Sequence, residues 1–257
     1  MATCAIPVDS AIIYSTGESL EGECVEFRLL YEGPLVAANK GKTRAVEKQA
    51  LRRHFHKQLS RLWRTNPNLL RMAQQQGMIV RHAVSDAPET LISLAQQPGM
   101  YVGALDHPRS DEEEFDYAQA GFDHLGDKWN RLGFRFVPLV TEDLCLQCSL
   151  EILFLRPSDS GTLIQGGDLD NRLKTLFDGL RLPENMDELA GAVPEADETP
   201  FFCLLQDDKL ISEVKVTTDN LLLLPNEREL KPNDVFLAIT VRLNPTIPHS
   251  WNWVFRQ

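Results

Sequence analysis

The chain lacks the features of a membrane or secreted protein. No window of its 257 residues holds the roughly 20 uninterrupted apolar residues that a membrane helix needs. The first residues lack the basic segment and the long apolar stretch of a signal peptide. Cysteine is scarce, and the odd number of five, at irregular spacing, indicates no disulfide framework. We therefore expect a cytoplasmic protein that does not engage a membrane.

Several catalytic motifs are also missing. The sequence contains no phosphate-binding loop, no dinucleotide-binding glycine motif and no serine-nucleophile motif, so nucleotide hydrolysis and serine chemistry have no support. Cys145 and Cys148 form a C-x-x-C motif within a predicted strand. Residues three apart on a strand point to opposite faces, and no second pair of Cys or His completes a tetrahedral zinc site. We therefore do not expect zinc.

Positive charge is outnumbered overall but concentrated in one segment. Lys and Arg number 26 against 37 Asp and Glu, and the net charge of −11 disfavours a sequence-independent DNA coat. Residues 40–64 nevertheless carry nine cations and one carboxylate, a net +8 that leaves −19 elsewhere. Leu51, Phe55 and Leu59 recur there at helical spacing and predict an amphipathic helix over 43–64. This helix is either a solvated surface element or a phosphate-tracking one, and its charge excess favours the second.

Two acidic segments interrupt the rest of the chain. Residues 106–127 contain eight Asp or Glu and predict either a solvated helix or loop, or an acidic cover that mimics nucleic acid or shields the basic helix. A second acidic, proline-containing segment occupies about 183–200. The histidines of the basic helix, His54 and His56, are expected to extend its basic face.

Strands outnumber helices in the sequence pattern. Alternating or continuous apolar residues predict strands at 24–32, 134–137, 144–155, 201–206, 210–218 and 234–243. Besides the basic helix, short-range periodicity predicts helices near 88–97 and from residue 168. The strands do not alternate regularly with helices, so we expect an α+β fold with a mixed or mostly antiparallel sheet.

Two pairs of carboxylates carry the strongest chemical signal. Asp168 and Asp170 stand where a glycine-containing loop becomes a helix, and Lys174 lies four residues after Asp170. Acids at a helix start often only cap it, and Asp207-Asp208 on its own reads as a turn between two strands. Together, however, they offer four carboxylates. A divalent cation such as Mg²⁺ prefers oxygen ligands and gives such a repulsive cluster a reason to exist.

These residues resemble a known family. The run D-L-D-N-x-x-K from Asp168 to Lys174, followed by the Asp207-Asp208 pair before a strand, is similar to the RusA-type Holliday-junction resolvases. The order of predicted elements is similar too, over a core of 22–64 and 133–244 within a single domain. An insertion at about 65–132 and the acidic one at about 183–200 interrupt that core.

The resemblance implies a RusA-like fold and a homodimeric, metal-dependent endonuclease that cuts branched DNA. It implies Mg²⁺, with Mn²⁺ as a substitute, held by Asp168, Asp170 and Asp208. Asp207 would assist, and Lys174 would stabilise charge on the phosphate. The family often carries arginines just before the first acid, whereas this chain has Gln165, Gly166 and Gly167.

Positive charge for DNA must then come from other residues. The candidates for nucleic-acid binding are Lys40, Lys42, Arg44, Lys48, Arg52, Arg53, Lys57, Asn171, Arg172 and Lys209. The acidic insertions and the missing arginines also suit another class of protein. This alternative is a catalytically weakened DNA-binding or protein-interaction module, for example one that meets a protein partner in a phage-defence complex. Cleavage of RNA or single strands is a third reading that the sequence leaves open.

Overall fold

The computed structural model has an α+β architecture with four helices and two open mixed sheets, mostly antiparallel, among the residues it describes. The described residues are 25–36, 42–84, 115–157, 168–222, 229, 231, 233–247 and 252, without the side chains of 42, 43, 79, 81–84 and 168. The helices are α1 (Lys42–Thr65), α2 (Pro67–Val84), α3 (Tyr117–Lys128) and α4 (Asp168–Leu180). The strands are β1 (Glu26–Pro34), β2 (Asn130–Arg131), β3 (Phe134–Val140), β4 (Leu146–Arg156), β5 (Phe201–Leu205), β6 (Ile211–Asn220) and β7 (Asp234–Pro245).

The larger sheet has the order β1-β7-β4-β6. Its neighbours are antiparallel except for the parallel pair of β4 and β6. Alternate residues of β1, β4 and β7, such as Leu29, Ile152 and Ile239, are buried on one face. The alternation of apolar and polar residues along these strands therefore indicates a sheet that buries one face against the main core.

The smaller sheet has the order β2-β3-β5, with β3 and β5 parallel. Every residue of β5 is buried, because this sheet is covered on both faces. Phe202 and Leu204 face the main core, whereas Phe201 and Cys203 join a smaller cluster that includes Leu189. The continuous apolar run of β5 is the sequence signature of that double coverage.

Helix α1 packs against both α4 and β5. Its buried stripe includes Leu51, Phe55 and Leu59, as the helical spacing predicts. Gly179 in α4 allows a close approach, since a Cβ there would lie 2.8 Å from the Cβ of Leu51. The two helices thus meet where α4 ends.

The described parts of the segment 65–132 contribute to the main core. Leu69 and Met72 of α2 and Phe122 of α3 are buried in the same cluster as α1. The helices α2 and α3 cross so closely that a Cβ on Gly121 would collide with the carbonyl oxygen of Ala73. The sequence pattern there is weak since small residues, not an apolar stripe, form much of this contact.

The predicted strands and the basic helix are confirmed within two residues at each end in all but one case. The exception is the strand predicted at 134–137, which continues to Val140. The predicted helix near 88–97 lies outside the described residues. The described part of the acidic run 106–127 is mostly helix α3. None of the helices in the described ranges is long and apolar enough to cross a membrane.

Candidate functional site

The start of α4 presents two predicted catalytic side chains to solvent. The apolar stripe of the helix packs on the main core through Leu169, Leu173, Leu176, Phe177 and Leu180. Asp170 and Lys174 are exposed, and Lys174 Nζ lies 2.7 Å from Asp170 Oδ2. The helix begins at Asp168 as predicted, and the side chain of Asp168 lies outside the described residues. An exposed ion pair adds little to stability, so both charges remain available to a ligand.

Arg172 anchors this first turn of α4 to the rest of the fold. Its guanidinium is buried and donates from Nη1 to the carbonyl oxygen of Leu35 at 2.6 Å and from Nη2 to Asn233 Oδ1 at 3.4 Å. Nucleic-acid binding by Arg172 stays a prediction that its burial disfavours, because the guanidinium is bonded to backbone inside the fold. Asn171, its neighbour, is half-buried.

The second acidic pair caps a short turn. Asp207 begins a single 3-10 turn, and its Oδ1 accepts a hydrogen bond from the backbone N–H of Lys209 at 3.0 Å. Asp208 is exposed within that turn. Lys209 Nζ lies 2.7 Å from Glu142 Oε1 and 3.9 Å from Asp207 Oδ2. The hydrogen bond that Lys209 donates to Glu142 raises the pKa of Lys209, so this cation already has an acidic partner within the chain.

Glu142 supplies a further carboxylate near Asp207 and Asp208, and no sequence pattern indicated it. The strands β3 and β5 are parallel neighbours, with Val140 opposite Leu205. Glu142 and Asp207 each follow that pair by two residues, so both lie beyond the carboxyl ends of adjacent strands. The sequence holds no sign of this, because 65 residues separate Glu142 from Asp207. Only the strand pairing brings them together.

Backbone contacts place the two acidic pairs near opposite ends of α4. At the carboxyl end of the helix, the N–H of Leu182 donates to the carbonyl oxygen of Leu205 at 3.0 Å. Asp207 follows Leu205 by two residues. Asp170, in contrast, lies ten residues before Leu180, which corresponds to about 15 Å along a helix axis.

The strand pairing of the larger sheet also separates Asp207-Asp208 from the start of α4. The first residue of β6, Ile211, lies opposite Cys148, whereas Phe236 of β7 lies opposite Leu155. Those two positions on β4 are seven residues apart, or about 23 Å along a strand. Asp208 comes just before β6, while the first turn of α4 is anchored beside the start of β7. The described contacts therefore do not bring the two acidic pairs together.

This geometry bears on the predicted metal site. Within the described part of the chain, no three His, Cys, Asp or Glu side chains stand close enough to hold a metal ion. Carboxylate oxygens suit Mg²⁺, and the described contacts place Asp170 and Asp208 near opposite ends of α4. The full set with Asp168 stays a prediction, since that side chain is not described.

The basic helix buries part of its charge. Lys48 Nζ lies 2.7 Å from Asp178 Oδ2, and Arg52 Nη2 lies 3.0 Å from Glu188 Oε2. Burial alone raises the pKa of Asp178, but the hydrogen bond and charge of Lys48, together with the charge of Arg181, hold it below its usual value. Nucleic-acid binding by Lys48 and Arg52 stays a prediction that their burial disfavours, because both cations already have internal carboxylate partners.

Arg44 and Arg53 are engaged at the edge of the same network. Arg44 Nη2 lies 3.2 Å from Asp178 Oδ2, and Arg53 Nε lies 2.8 Å from Glu198 Oε1. Each keeps about a third of its side chain exposed, 32% and 33%. Both could reach an external phosphate only in competition with these acids. Two further predicted cations, Lys40 and the side chain of Lys42, lie outside the described residues.

The exposed basic face of α1 is carried by Lys57, Arg61 and Arg64, which we call the basic stripe. The spacing of four and three residues sets all three side chains on one face, opposite the buried stripe, and all are exposed. No ion pair joins them to an acid within the described ranges. The guanidinium of Arg64 lies 5.0 Å from the ring centre of Phe122. Lys57 was predicted to bind nucleic acid, and Arg61 and Arg64 are additions from the structure.

The segment 183–200 shields the basic helix. Arg52 Nη1 donates to the carbonyl oxygen of Glu188 at 3.1 Å, and Arg53 Nη2 donates to that of Val193 at 3.0 Å. The shielding role hypothesised for residues 106–127 is thus filled by 183–200 in the described structure. Within α3, Asp123 instead pairs with Arg135 of β3.

His56 joins this segment to the smaller sheet. The N–H of Phe202 donates to Nδ1 at 2.9 Å, and Nε2 lies 3.1 Å from the carbonyl oxygen of Asp197. The ring stacks on Phe201 with centroids 4.5 Å apart. Burial lowers the pKa of His56, and the accepted bond at Nδ1 requires the neutral ring. His56 therefore does not extend the basic face, contrary to expectation.

Comparison with known proteins adds no relative. No family model, curated protein or solved structure matches the chain. The resemblance to the RusA-type resolvases accordingly stays a prediction that rests on the D-L-D-N-x-x-K run, the Asp207-Asp208 pair and the order of elements.

Proposed function

We propose that the chain is a Mg²⁺-dependent, structure-specific endodeoxyribonuclease of RusA-like fold that hydrolyses phosphodiester bonds in Holliday junctions or other branched DNA. The observation that carries this proposal is the exposed start of α4. There the D-L-D-N-x-x-K run holds Asp170 and Lys174 in solvent, while Arg172 fixes the turn beneath them. A rigid backbone with exposed charges is the arrangement that a catalytic site needs.

Asp170 and Lys174 would have complementary roles. A phosphodiester undergoing hydrolysis gains negative charge on its oxygens, and a fixed cation stabilises that charge. Lys174 is exposed and held only by Asp170 among the described residues, so it can exchange this partner for a phosphate oxygen. Asp170 would supply a carboxylate oxygen on the same helix face. These roles suit phosphodiester hydrolysis better than they suit a purely structural helix start.

The basic stripe would hold the DNA. Lys57, Arg61 and Arg64 span seven residues of α1, or about 10 Å, which allows contact with neighbouring phosphates of one strand. The chain as a whole carries a net charge of −11, so electrostatic attraction to DNA is restricted to such a face. The proposal thus combines one DNA-facing side with acidic surfaces elsewhere.

The experiment for this function compares three DNA substrates. Purified protein with Mg²⁺ would be incubated with a four-way junction, a flap and a linear duplex of the same sequence. We expect cleavage of the branched substrates, little cleavage of the duplex, and complete loss of cleavage in EDTA. Equal inactivity on all three, in Mg²⁺ and in Mn²⁺, would overturn the enzyme proposal.

A separate prediction concerns the basic stripe. The double substitution Lys57→Gln and Arg61→Gln is expected to weaken binding to every DNA tested and to reduce the salt dependence of the binding constant by about two in slope, because each phosphate contact contributes about one. Fluorescence anisotropy over a salt series in EDTA measures this. The control is Lys128→Gln, which removes a cation paired with Asp143. An unchanged slope in the double variant would show that DNA binds elsewhere.

A second candidate function is a DNA-binding or protein-interaction module without catalysis. The separation of the two acidic pairs along α4 favours it. Junction binding that persists in EDTA, with no cleavage in Mg²⁺ or Mn²⁺, would favour this candidate. Cleavage that depends on Asp170 would exclude it.

A further inference from the structure

A cavity of about 300 Å³ lies between the first half of α1 and the turn that follows Leu189. An apolar cavity of roughly 150 Å³ already holds a benzene ring, so this one has room for a large apolar side chain. It opens to solvent beside Ala50, which is exposed. The side chains that line it from α1 are Val46, Gln49, Ala50 and Arg53, and those from the turn include Leu189 and Ala192.

Gln49 places an unpaired amide in the wall of this cavity. The residue is only 4% exposed, and its Oε1 is buried without a hydrogen bond from any described part of the chain. A buried acceptor without a donor destabilises a fold. The last torsion of a glutamine side chain is soft, so the amide can turn its oxygen toward an N–H placed in the cavity. A ligand with such a donor would supply the missing partner.

A second glutamine of α1 shows which group satisfies such an amide. Oε1 of Gln58 accepts a hydrogen bond from the N–H of Leu30 at 2.9 Å, and Nε2 of Gln58 donates to the carbonyl oxygen of Leu30 at 2.6 Å. The primary amide thus binds both backbone groups of one residue in an extended strand. Gln49 carries the same donor and acceptor, so extended backbone is a suitable partner for it too.

The rim of the cavity is apolar and exposed. Val46 is 57% exposed and Val193 is 72% exposed. Val193 lies beside the lining, because its carbonyl oxygen accepts a hydrogen bond from Arg53 Nη2 at 3.0 Å. Exposed apolar side chains around a concave site are features of a protein-interaction surface. The cavity therefore suits a side chain that another polypeptide inserts from outside.

Acidic residues determine the charge of a suitable partner. The segment 183–200 contains six Asp or Glu and no Lys or Arg. Arg53 in the lining is already paired with Glu195 and Glu198, and Asp187 is exposed two residues before Leu189. This surface repels a phosphate backbone and attracts cations. A peptide with Lys or Arg fits it better than nucleic acid does.

We propose that this cavity binds a short extended peptide of a partner protein, which carries one large apolar side chain flanked by Lys or Arg. The apolar side chain would fill the cavity between Ala50 and Leu189. The backbone N–H of that residue would donate to Gln49 Oε1, and the flanking cations would lie against Asp187 and Glu195. The proposed contact involves no nucleic acid and is independent of the nuclease proposal.

A set of synthetic peptides tests the three parts of the contact. The parent is acetyl-Ala-Arg-Leu-Arg-Ala-amide, titrated into the full chain and followed by the NMR signals of the Gln49 side-chain amide. We expect saturable shifts of these signals. Replacing leucine by alanine, or both arginines by glutamate, is expected to weaken binding at least about tenfold. Methylation of the leucine backbone nitrogen removes the N–H donor and should weaken binding about fivefold.

Gln49→Met tests the role of the amide. It should weaken binding of the parent peptide about fivefold but leave the N-methylated peptide unaffected, because that peptide lacks the donor for this hydrogen bond. In the free protein, the same substitution is expected to raise the urea midpoint of unfolding, since it removes a buried oxygen without a partner. A lower midpoint, or equal weakening of both peptides, would overturn the proposed role of Gln49.

Ala50→Leu tests the place of binding. The added side chain fills the cavity from the exposed side of α1 and is expected to abolish binding of the parent peptide. The matched control is Ala196→Leu at an exposed position of the acidic segment outside the described lining, which should bind as the wild type does. Circular dichroism checks that each variant folds.

Two results would overturn the site itself. One is a wild type whose Gln49 signals do not respond to the parent peptide at millimolar concentration, and the other is unchanged binding by Ala50→Leu. None of these readouts needs DNA or metal, so failure here is distinct from failure of the nuclease proposal.

Discussion

Asp170→Asn is expected to lower the rate of Mg²⁺-dependent cleavage of branched DNA by at least about 100-fold. Loss of groups that only support a metal ligand costs 10- to 100-fold, so loss of a ligand itself should cost no less. Stability should change little, because the Asp170 side chain is 67% exposed and its only described ion pair is with Lys174. Initial cleavage rates on a four-way junction, with urea unfolding in parallel, measure both effects.

The matched control for Asp170→Asn is Asp123→Asn. Asp123 is also a partly exposed acid on a helix with a cationic partner, Arg135, but it lies outside the proposed site. Its cleavage rate should stay within twofold of the wild type. Wild-type activity in Asp170→Asn, under conditions where the wild type cleaves the junction, would remove this residue from the reaction and with it the main support for the enzyme.

Asp208→Asn distinguishes two arrangements of the catalytic residues. If both acidic pairs act at one phosphate, its loss of activity should equal that of Asp170→Asn, and Asp208 must then approach the start of α4 in the active assembly. If only the start of α4 is catalytic, Asp208→Asn should cleave nearly as fast as the wild type. The N–H of Leu182, just after the end of α4, donates to the carbonyl oxygen of Leu205, and Asp207 follows two residues later. These contacts place Asp207 near the end of α4 and favour nearly wild-type cleavage by Asp208→Asn.

Arg52→Met is expected to lower the free energy of unfolding by about 3–5 kcal/mol, the range found when one partner of a buried ion pair is removed. The side chain is fully buried. It donates to the carbonyl oxygens of Asp178 and Arg181 at the end of α4, at 2.8 Å and 3.2 Å, and to that of Glu188 at 3.1 Å. Arg52 thus satisfies carbonyls that a helix end leaves unpaired, and methionine cannot.

Urea unfolding measures this effect against two controls. Lys57→Met removes an exposed cation from the same helix and should change stability by less than about 0.5 kcal/mol. Arg52→Lys keeps the charge but not the planar fork of donors, and should fall between the wild type and Arg52→Met. A loss of less than about 1 kcal/mol in the free energy of unfolding of Arg52→Met would mean that water replaces the lost hydrogen bonds. The hydrogen bonds of Arg52 would then contribute little to holding the end of α4.

The basic helix shows how far sequence patterns reach. Its length and buried stripe followed from the spacing of Leu51, Phe55 and Leu59, and the structure confirms both. The burial of Lys48 and Arg52 had a signal as well, since both share the helix face of Phe55. That signal was outweighed by the charge of the whole segment, because the sequence does not show that Asp178 and Glu188 supply internal partners from more than 120 residues away.

The acidic pairs show the opposite limit. The sequence identified the start of α4, and the helix does begin at Asp168. It could not show whether Asp207 and Asp208 approach that start, because a chain can return to either end of a helix after a long connection. The parallel pairing of β3 with β5 and of β4 with β6 determines where these residues lie. The same pairing adds Glu142, which no spacing in the sequence indicates.

The sequence by itself determined the secondary-structure elements of this protein and its candidate functional groups: an α+β pattern, one basic helix, and carboxylates with a lysine at a helix start. These depend on local periodicity and residue type, which the order of residues contains directly. Only the tertiary structure decided which charges face inward and which acids share a neighbourhood. Those properties depend on contacts between distant segments, and an apolar stripe or a charge run fixes only the face of its own element.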